Sequence, residues 1–149
     1  MKGRGNILQA SIDGKDITVI DESYNASPAS MKAALEAMAL TRTDADVVLL
    51  GDMLALGPDA PKYHLAIAES LAALRPSRVL LCGSQMKPLW EQISQEYKGS
   101  WFENEEEVCK NIASCLCNGD RLLVKASHGT GLWKCVRYLK DGDRSSSRS

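Results

Sequence analysis

The sequence lacks any long hydrophobic stretch. Apolar runs such as Val79-Leu80-Leu81-Cys82 fall far below the roughly 20 residues that cross a bilayer, so no membrane span is expected. Neither sign of charge dominates. With 18 basic and 19 acidic residues the formal net charge is -1, and without a broad basic field neither nucleic acid nor an anionic membrane surface is an expected partner. Histidine is scarce, at two residues, and Cys82, Cys109, Cys115, Cys117 and Cys135 show no zinc-knuckle spacing, so a structural metal site would be short of ligands. An odd cysteine count, with no apolar segment behind Met1-Lys2-Gly3-Arg4-Gly5-Asn6, argues against a signal peptide and a disulfide framework. The thiols are expected to act as small buried hydrophobes, and the chain to be cytoplasmic.

Two phosphate-binding patterns are also missing. No Gly-x-x-x-x-Gly-Lys-[Ser/Thr] occurs, so the chain is not expected to cradle nucleotide phosphates in the Walker manner. His128-Gly129-Thr130-Gly131 lacks the Gly-x-Gly-x-x-Gly order and follows the last expected strand instead of the first.

What is present is a chain of 149 residues with 44% hydrophobic content, enough for one domain with a proper core. Asp13-Gly14 signals a tight hairpin between residues 6–12 and a strand at Ile17 to Ile20. A helix then follows, capped by Ser27 or Ser30, with Met31, Leu35 and Met38 on its apolar face. Val47 to Leu50 reads as a strand covered on both faces. A helix from about Pro61 to Leu74 is expected to turn Leu65, Ala68, Leu71 and Ala72 inward. Arg78 to Cys82 repeats the strand pattern, Met86 to Tyr97 reads as helical, and Trp101-Phe102 as a short strand. Asn104 caps a helix led by Glu105-Glu106-Glu107, three carboxylates that favour its macrodipole. Arg121 to Lys125 is the last strand, and the final helix buries Leu132, Cys135, Val136 and Leu139. Strand and helix alternate at least four times. The expected fold is therefore α/β, a doubly wound and mainly parallel sheet with helices on both faces and an antiparallel N-terminal hairpin. The domain is expected over residues 1–140, with 141–149 a disordered polar tail.

In such sheets ligands bind beyond the carboxyl ends of the strands. Four loops fall there: Asp21 to Ser27, Gly51 to Met53, Gly83 to Gln85, and Ala126 to Gly131. Ser23, Asn25 and Ser27 suit a ligand contact, and equally a turn and a helix cap. Lys125, Ser127 and His128 ahead of two glycines could bind an anion, or the glycines could only permit the turn while the lysine carries its charge into water. A Ser127-His128 nucleophile is disfavoured, because adjacent strand-end side chains diverge and no acidic orienter is nearby. His64 with Asp52 would make at most half a metal site, and a lone histidine at a helix start is more often a cap or surface group.

Four segments together carry a specific resemblance. They are Lys2-Gly3-Arg4, Asp21-Glu22-Ser23-Tyr24-Asn25-Ala26-Ser27-Pro28-x-Ser30-Met31, Gly51-Asp52-Met53-Leu54-x-Leu56-Gly57 with His64, and Leu123-Val124-Lys125-Ala126-Ser127. In order and spacing they resemble the C-terminal domain of the Mur ligases, and among these the MurF-type ligases. The resemblance implies the third, Rossmann-like domain of a three-domain enzyme of peptidoglycan synthesis. That domain closes over ATP and receives the incoming amine, while upstream N-terminal and central domains hold the UDP-sugar, the phosphate loop and most of the Mg2+ coordination.

The implied reaction is ATP-dependent phosphorylation of the carboxylate of UDP-N-acetylmuramoyl-tripeptide to an acyl phosphate, attacked by the amine of D-alanyl-D-alanine. Arg4 and Lys125 would be catalytic, with Arg4 reaching toward the phosphates. Arg4, Glu22, Tyr24 and Asn25 would bind the nucleotide. Asn25, Asp52, Lys125, Ser127 and His128 would face the dipeptide, and His64 would support the Gly51-Asp52-Met53 loop. No metal ligand is assigned in this chain, and the chain alone is expected to be inactive. It departs from the family pattern at Glu22, Ser27, Ala55, Ala126 and His128, where Asp, Asn, Glu, Gly and Arg are usual. The last change makes the charge facing the substrate carboxylate depend on protonation. Two alternatives are a stand-alone small-anion-binding module of α/β fold and the same domain of another Mur-type ligase.

Overall fold

A computed structural model describes residues 5–148, with side chains through residue 141. The chain opens with β1 (Asn6–Ile12) and β2 (Lys15–Glu22), followed by α1 (Pro28–Leu40), β3 (Asp46–Gly51), α2 (Ala60–Leu65), α3 (Ile67–Leu74) and β4 (Arg78–Cys82). It continues through α4 (Lys87–Ile93), β5 (Lys98–Phe102), α5 (Glu105–Cys115), β6 (Arg121–Lys125) and α6 (Trp133–Arg148). Asp13 and Gly14 both adopt positive φ, at 50° and 76°, which matches the twist of a two-residue hairpin and sets β1 antiparallel to β2. Every other pairing is parallel, in the order β1-β2-β6-β3-β4-β5. The expected α/β sheet is what the chain forms.

Alternation along the strands divides the core in two. Val48, Leu50, Val79, Leu81 and Leu123 pack under α1, α3 and α4. Val47, Leu49, Leu80, Leu122 and Val124 pack under α5 and α6. The last strand, β6, lies between β2 and β3, the first two of the parallel set. Its following helix covers one face, while the helices after β2 and β3 cover the other. The loop after β6 therefore emerges between two loops that turn the opposite way, the arrangement that opens a crevice at a strand-order switch.

The helix expected over Pro61–Leu74 is two helices with a different inner face. His64, Ile67, Leu71 and Leu74 are buried, whereas Leu65 and Ala72 are exposed. A buried histidine in the last turn of α2 sets that phase, and residue hydrophobicity alone gave it no weight. The region beyond residue 140, expected as a disordered tail, continues the backbone of α6 to Arg148. One glycine and no proline interrupt that stretch, so no strong helix stop is encoded there. Among the described residues no helix is long and apolar enough to cross a membrane.

At the amino edge of the sheet, Asp46 and Arg121 are register partners that open β3 and β6. The carboxylate of Asp46 is fully buried and accepts from Arg121 Nε at 2.8 Å and Nη2 at 2.9 Å, and from the Thr43 hydroxyl at 2.7 Å. Burial pushes the Asp46 pKa up, but the Arg121 and Thr43 bonds outweigh it and hold the carboxyl below its usual range. A carboxyl with a depressed folded pKa stabilises the fold above its unfolded value, and that contribution is lost as pH falls through the folded one. Asp46→Ala, which leaves the guanidinium without its partner, is expected to cost about 3 kcal/mol in urea unfolding at neutral pH. The gap between the two proteins should narrow below about pH 4. An unchanged midpoint would contradict this role.

Candidate functional site

The carboxyl ends of β2 and β6 meet through a buried charge. Glu22 and Lys125 are the last residues of their strands and stand opposite each other in register. Lys125 is only 3% exposed, and a buried ammonium must be partnered. Its Nζ donates to the Asn25 carbonyl at 2.9 Å and to Glu22 Oε1 at 3.4 Å. The lysine does not send its charge into water along an apolar stem; it braces the loop after β2 from below. Asp21 shapes the same loop, its Oδ1 accepting from the Ser23 amide at 3.0 Å and hydroxyl at 2.5 Å. Ser27 then caps α1 in a reciprocal box with Ser30, so this stretch builds a turn and also presents polar groups at the rim.

Ser127 joins three loops. Its amide donates to the Asp52 carbonyl at 3.2 Å, its Oγ accepts from the Leu54 amide at 2.9 Å, and the same hydroxyl lies 3.5 Å from the Ala26 carbonyl.

The loop after β3 is held from beneath by two buried groups. His64 Nε2 accepts from the Met53 amide at 2.9 Å while Nδ1 lies 2.7 Å from the Ala60 carbonyl. That pairing fixes the tautomer with its proton on Nδ1. Both ring nitrogens are thus occupied by backbone. The Asp52 carboxylate accepts from the amides of Gln85 at 3.3 Å and Met86 at 3.1 Å, tying the loop after β3 to that after β4. Burial raises the Asp52 pKa above the usual carboxylate range, partly offset by those amide bonds.

Aromatic rings from the loop after β2, the loop after β6 and the start of α6 stack together. The Tyr24 and His128 rings are 4.9 Å apart, and His128 stacks on Trp133 at 5.5 Å and 7°. Arg137 lies 5.0 Å from the Trp133 ring, within cation–π range. Trp133 escaped the sequence reading; its one signal was an aromatic at the first turn of the helix that follows the glycine loop. Tyr24, Trp133, Asn6 and Arg137 border an open pocket of about 300 Å³. A cavity of about 540 Å³ lies elsewhere, between α1 and the α2–α3 segment.

Glu22 and Lys125, at the strand ends, and Tyr24, Asn25, Asp52, Ser127 and His128, in the loops that follow β2, β3 and β6, thus lie along one edge of the sheet. Arg4 lies outside the described residues. Gly5 donates its amide to the Asp21 carbonyl at 2.7 Å, which brings the chain in beside the end of β2. Among the described residues, no group of three or more His, Cys, Asp or Glu side chains is placed to hold a metal ion.

Gly83 gives this rim a sharp test. Its φ is +113°, and a Cβ there would meet the Asp52 carboxylate. Gly83→Ala is expected to lower stability by about 2 kcal/mol, from backbone strain and displacement of a buried carboxylate. Thermal unfolding measures the loss, and wild-type stability would contradict the packing described.

Residues 3–128 match the family model described as Mur ligase, glutamate ligase domain. The chain is 31% identical over 139 residues to UDP-N-acetylmuramoyl-tripeptide–D-alanyl-D-alanine ligase of Rickettsia prowazekii, covering 93% of this chain and 30% of that protein. A crystal structure of MurF from Acinetobacter baumannii superposes with a TM-score of 0.77 at 25% identity, over 95% of this chain and 31% of that one. The fold is also that of Thermotoga maritima MurF solved with ADP, with a TM-score of 0.73 at 21% identity, over 98% of this chain and 32% of that one. The chain spans about 30% of the length of the Rickettsia relative. On the match over residues 3–128, the chain belongs to the Mur ligase family, as its glutamate ligase domain.

Proposed function

We propose that this chain is the C-terminal domain of an ATP-dependent ligase that adds D-alanyl-D-alanine to UDP-N-acetylmuramoyl-tripeptide, acting in the cytoplasm. The observation that carries this reading is the meeting of Glu22, Lys125 and Ser127 at one rim, in a chain whose relatives bear that ligase's name. In the reaction the tripeptide carboxylate takes the terminal phosphoryl group of ATP and ADP leaves. The amine of the dipeptide then attacks the acyl carbon, and phosphate departs.

Each part of the rim has a place in that sequence. Glu22, partly exposed beside Lys125, reaches toward the ribose, with Tyr24 and Asn25 shaping the nucleotide side. Lys125 has three ammonium protons, two of them directed to the Asn25 carbonyl and Glu22. Its fixed positive charge lies where negative charge develops during acyl transfer. Ser127 and His128 face the dipeptide carboxylate. Asp52 serves that contact through its loop, since its carboxylate is taken up by the amides of Gln85 and Met86. Arg4 approaches the phosphates on the strength of the family pattern alone. Mg2+ accompanies ATP and neutralises phosphate charge. The described residues of this chain do not gather a full ligand set for it, so the reading leaves that ion to the upstream central domain.

The test is to express the chain covalently continuous with the two upstream domains of a MurF ligase and to measure ADP release and ligated product. The expected result is no turnover by the chain alone, ligation by the continuous protein, and a loss of about 100-fold or more in kcat/KM for Lys125→Ala. Turnover by the chain alone would overturn the reading. Tight binding of inorganic phosphate to the chain alone would favour the stand-alone anion module instead.

A further inference from the structure

Outside the rim, two cysteines on different helices touch. We propose that Cys109 and Cys135 form a thiol–disulfide exchange site, in which Cys109 reacts with a small disulfide of the glutathione class and Cys135 resolves the product into a bond joining α5 to α6.

Cys109 lies in α5 and Cys135 in α6, helices that pack on the same face of the sheet. Their Sγ atoms are 2.8 Å apart, closer than the roughly 3.5–4 Å of ordinary nonbonded heavy-atom contact. The two sulfurs are thus in direct contact, within hydrogen-bond reach, and little movement separates them from bonding distance. Their surroundings differ in the way an attacking and a resolving thiol require. Cys135 is fully buried and Cys109 partly exposed, so a small molecule reaches Cys109 first. The bond from Cys135 favours the Cys109 thiolate and lowers its pKa, despite some burial. The same contact and deeper burial push the Cys135 thiol up. The other cysteines lack such a partner thiol. Cys82 is buried with its pKa pushed up to about 12, burial raises that of Cys115, and exposed Cys117 accepts a bond from Arg78 Nη2 at 2.9 Å.

The chemistry balances as two exchanges. The Cys109 thiolate attacks one sulfur of glutathione disulfide, forming a mixed disulfide and releasing one glutathione thiolate. Cys135, on losing its proton, attacks the Cys109 sulfur and expels the second. Both cysteines are oxidised, glutathione disulfide is reduced to two molecules of glutathione, and the two thiol protons end on those products. The new bond would close a loop 26 residues apart in sequence and anchor the start of α6, where Trp133 stacks on His128. It stands independently of the ligase reading, because it rests on the two helices alone.

The experiment treats the whole chain with millimolar glutathione disulfide, alkylates the remaining thiols, and maps the peptides by mass spectrometry. Five cysteine thiols are expected to fall to three, with Cys109 and Cys135 linked in one molecule and both recovered by dithiothreitol. Cys135→Ala is expected to stop at one glutathionyl group on Cys109. An unchanged thiol count, glutathione confined to Cys117, or Cys109 linked to another cysteine would each overturn the proposal. Should Cys135→Ala fail to fold, the thiol count and peptide map of the unaltered chain still decide.

Discussion

The structure depends on a strand held at both ends by paired charge. β6 is the last strand in sequence and lies between β2 and β3, so its place in the sheet is set by contacts far along the chain. At its amino end Arg121 grips the buried Asp46 of β3. At its carboxyl end Lys125 meets Glu22 of β2 and the Asn25 carbonyl. A one-residue slip of β6 would exchange Leu122 and Val124 with Leu123 between the two helix-covered faces and separate both charge pairs. Apolar burial supplies most of the stability, while the two cations specify register.

The same placement gives the rim its composition. Because β6 arrives between strands whose helices cover the opposite face, its loop lies against the loops on both sides. Ser127 is therefore in reach of Ala26, Asp52 and Leu54 together. His64 and Asp52 hold the neighbouring loop from below through backbone amides, so the exposed groups above them sit on a stiff base. That pre-organisation is what a site for charged substrates needs, since donors already fixed in place cost little further ordering when charge develops.

Much of the fold was legible because it is local. The Asp13-Gly14 turn, the unbroken apolar run of β3, the Ser27 cap and the inner face of α6 each follow from neighbouring residues. The candidate loops were legible through strand order and the motif around Tyr24-Asn25. What stayed hidden depends on distant partners. Asp46 and Arg121 lie 75 residues apart in sequence, and nothing near either marks it as half of a buried pair. The phase of α2 and α3 turns on His64 being solvated by the Met53 and Ala60 backbone, which makes a polar residue behave as core. Trp133 joins the rim only because β6 and β2 are neighbours, and the contact between Cys109 and Cys135 follows from how α5 and α6 pack.

The central claim is that the Glu22, Lys125 and Ser127 loops form one face of a cleft completed by protein upstream. A crystal structure of the covalently continuous ligase with a non-hydrolysable ATP analogue and D-alanyl-D-alanine tests it most directly. The account predicts nucleotide beside Glu22 and Tyr24 and the dipeptide carboxylate beside Ser127 and His128, with Lys125 between them. Ligands seated in the cavity between α1 and α3, or on the α5–α6 face, would contradict it.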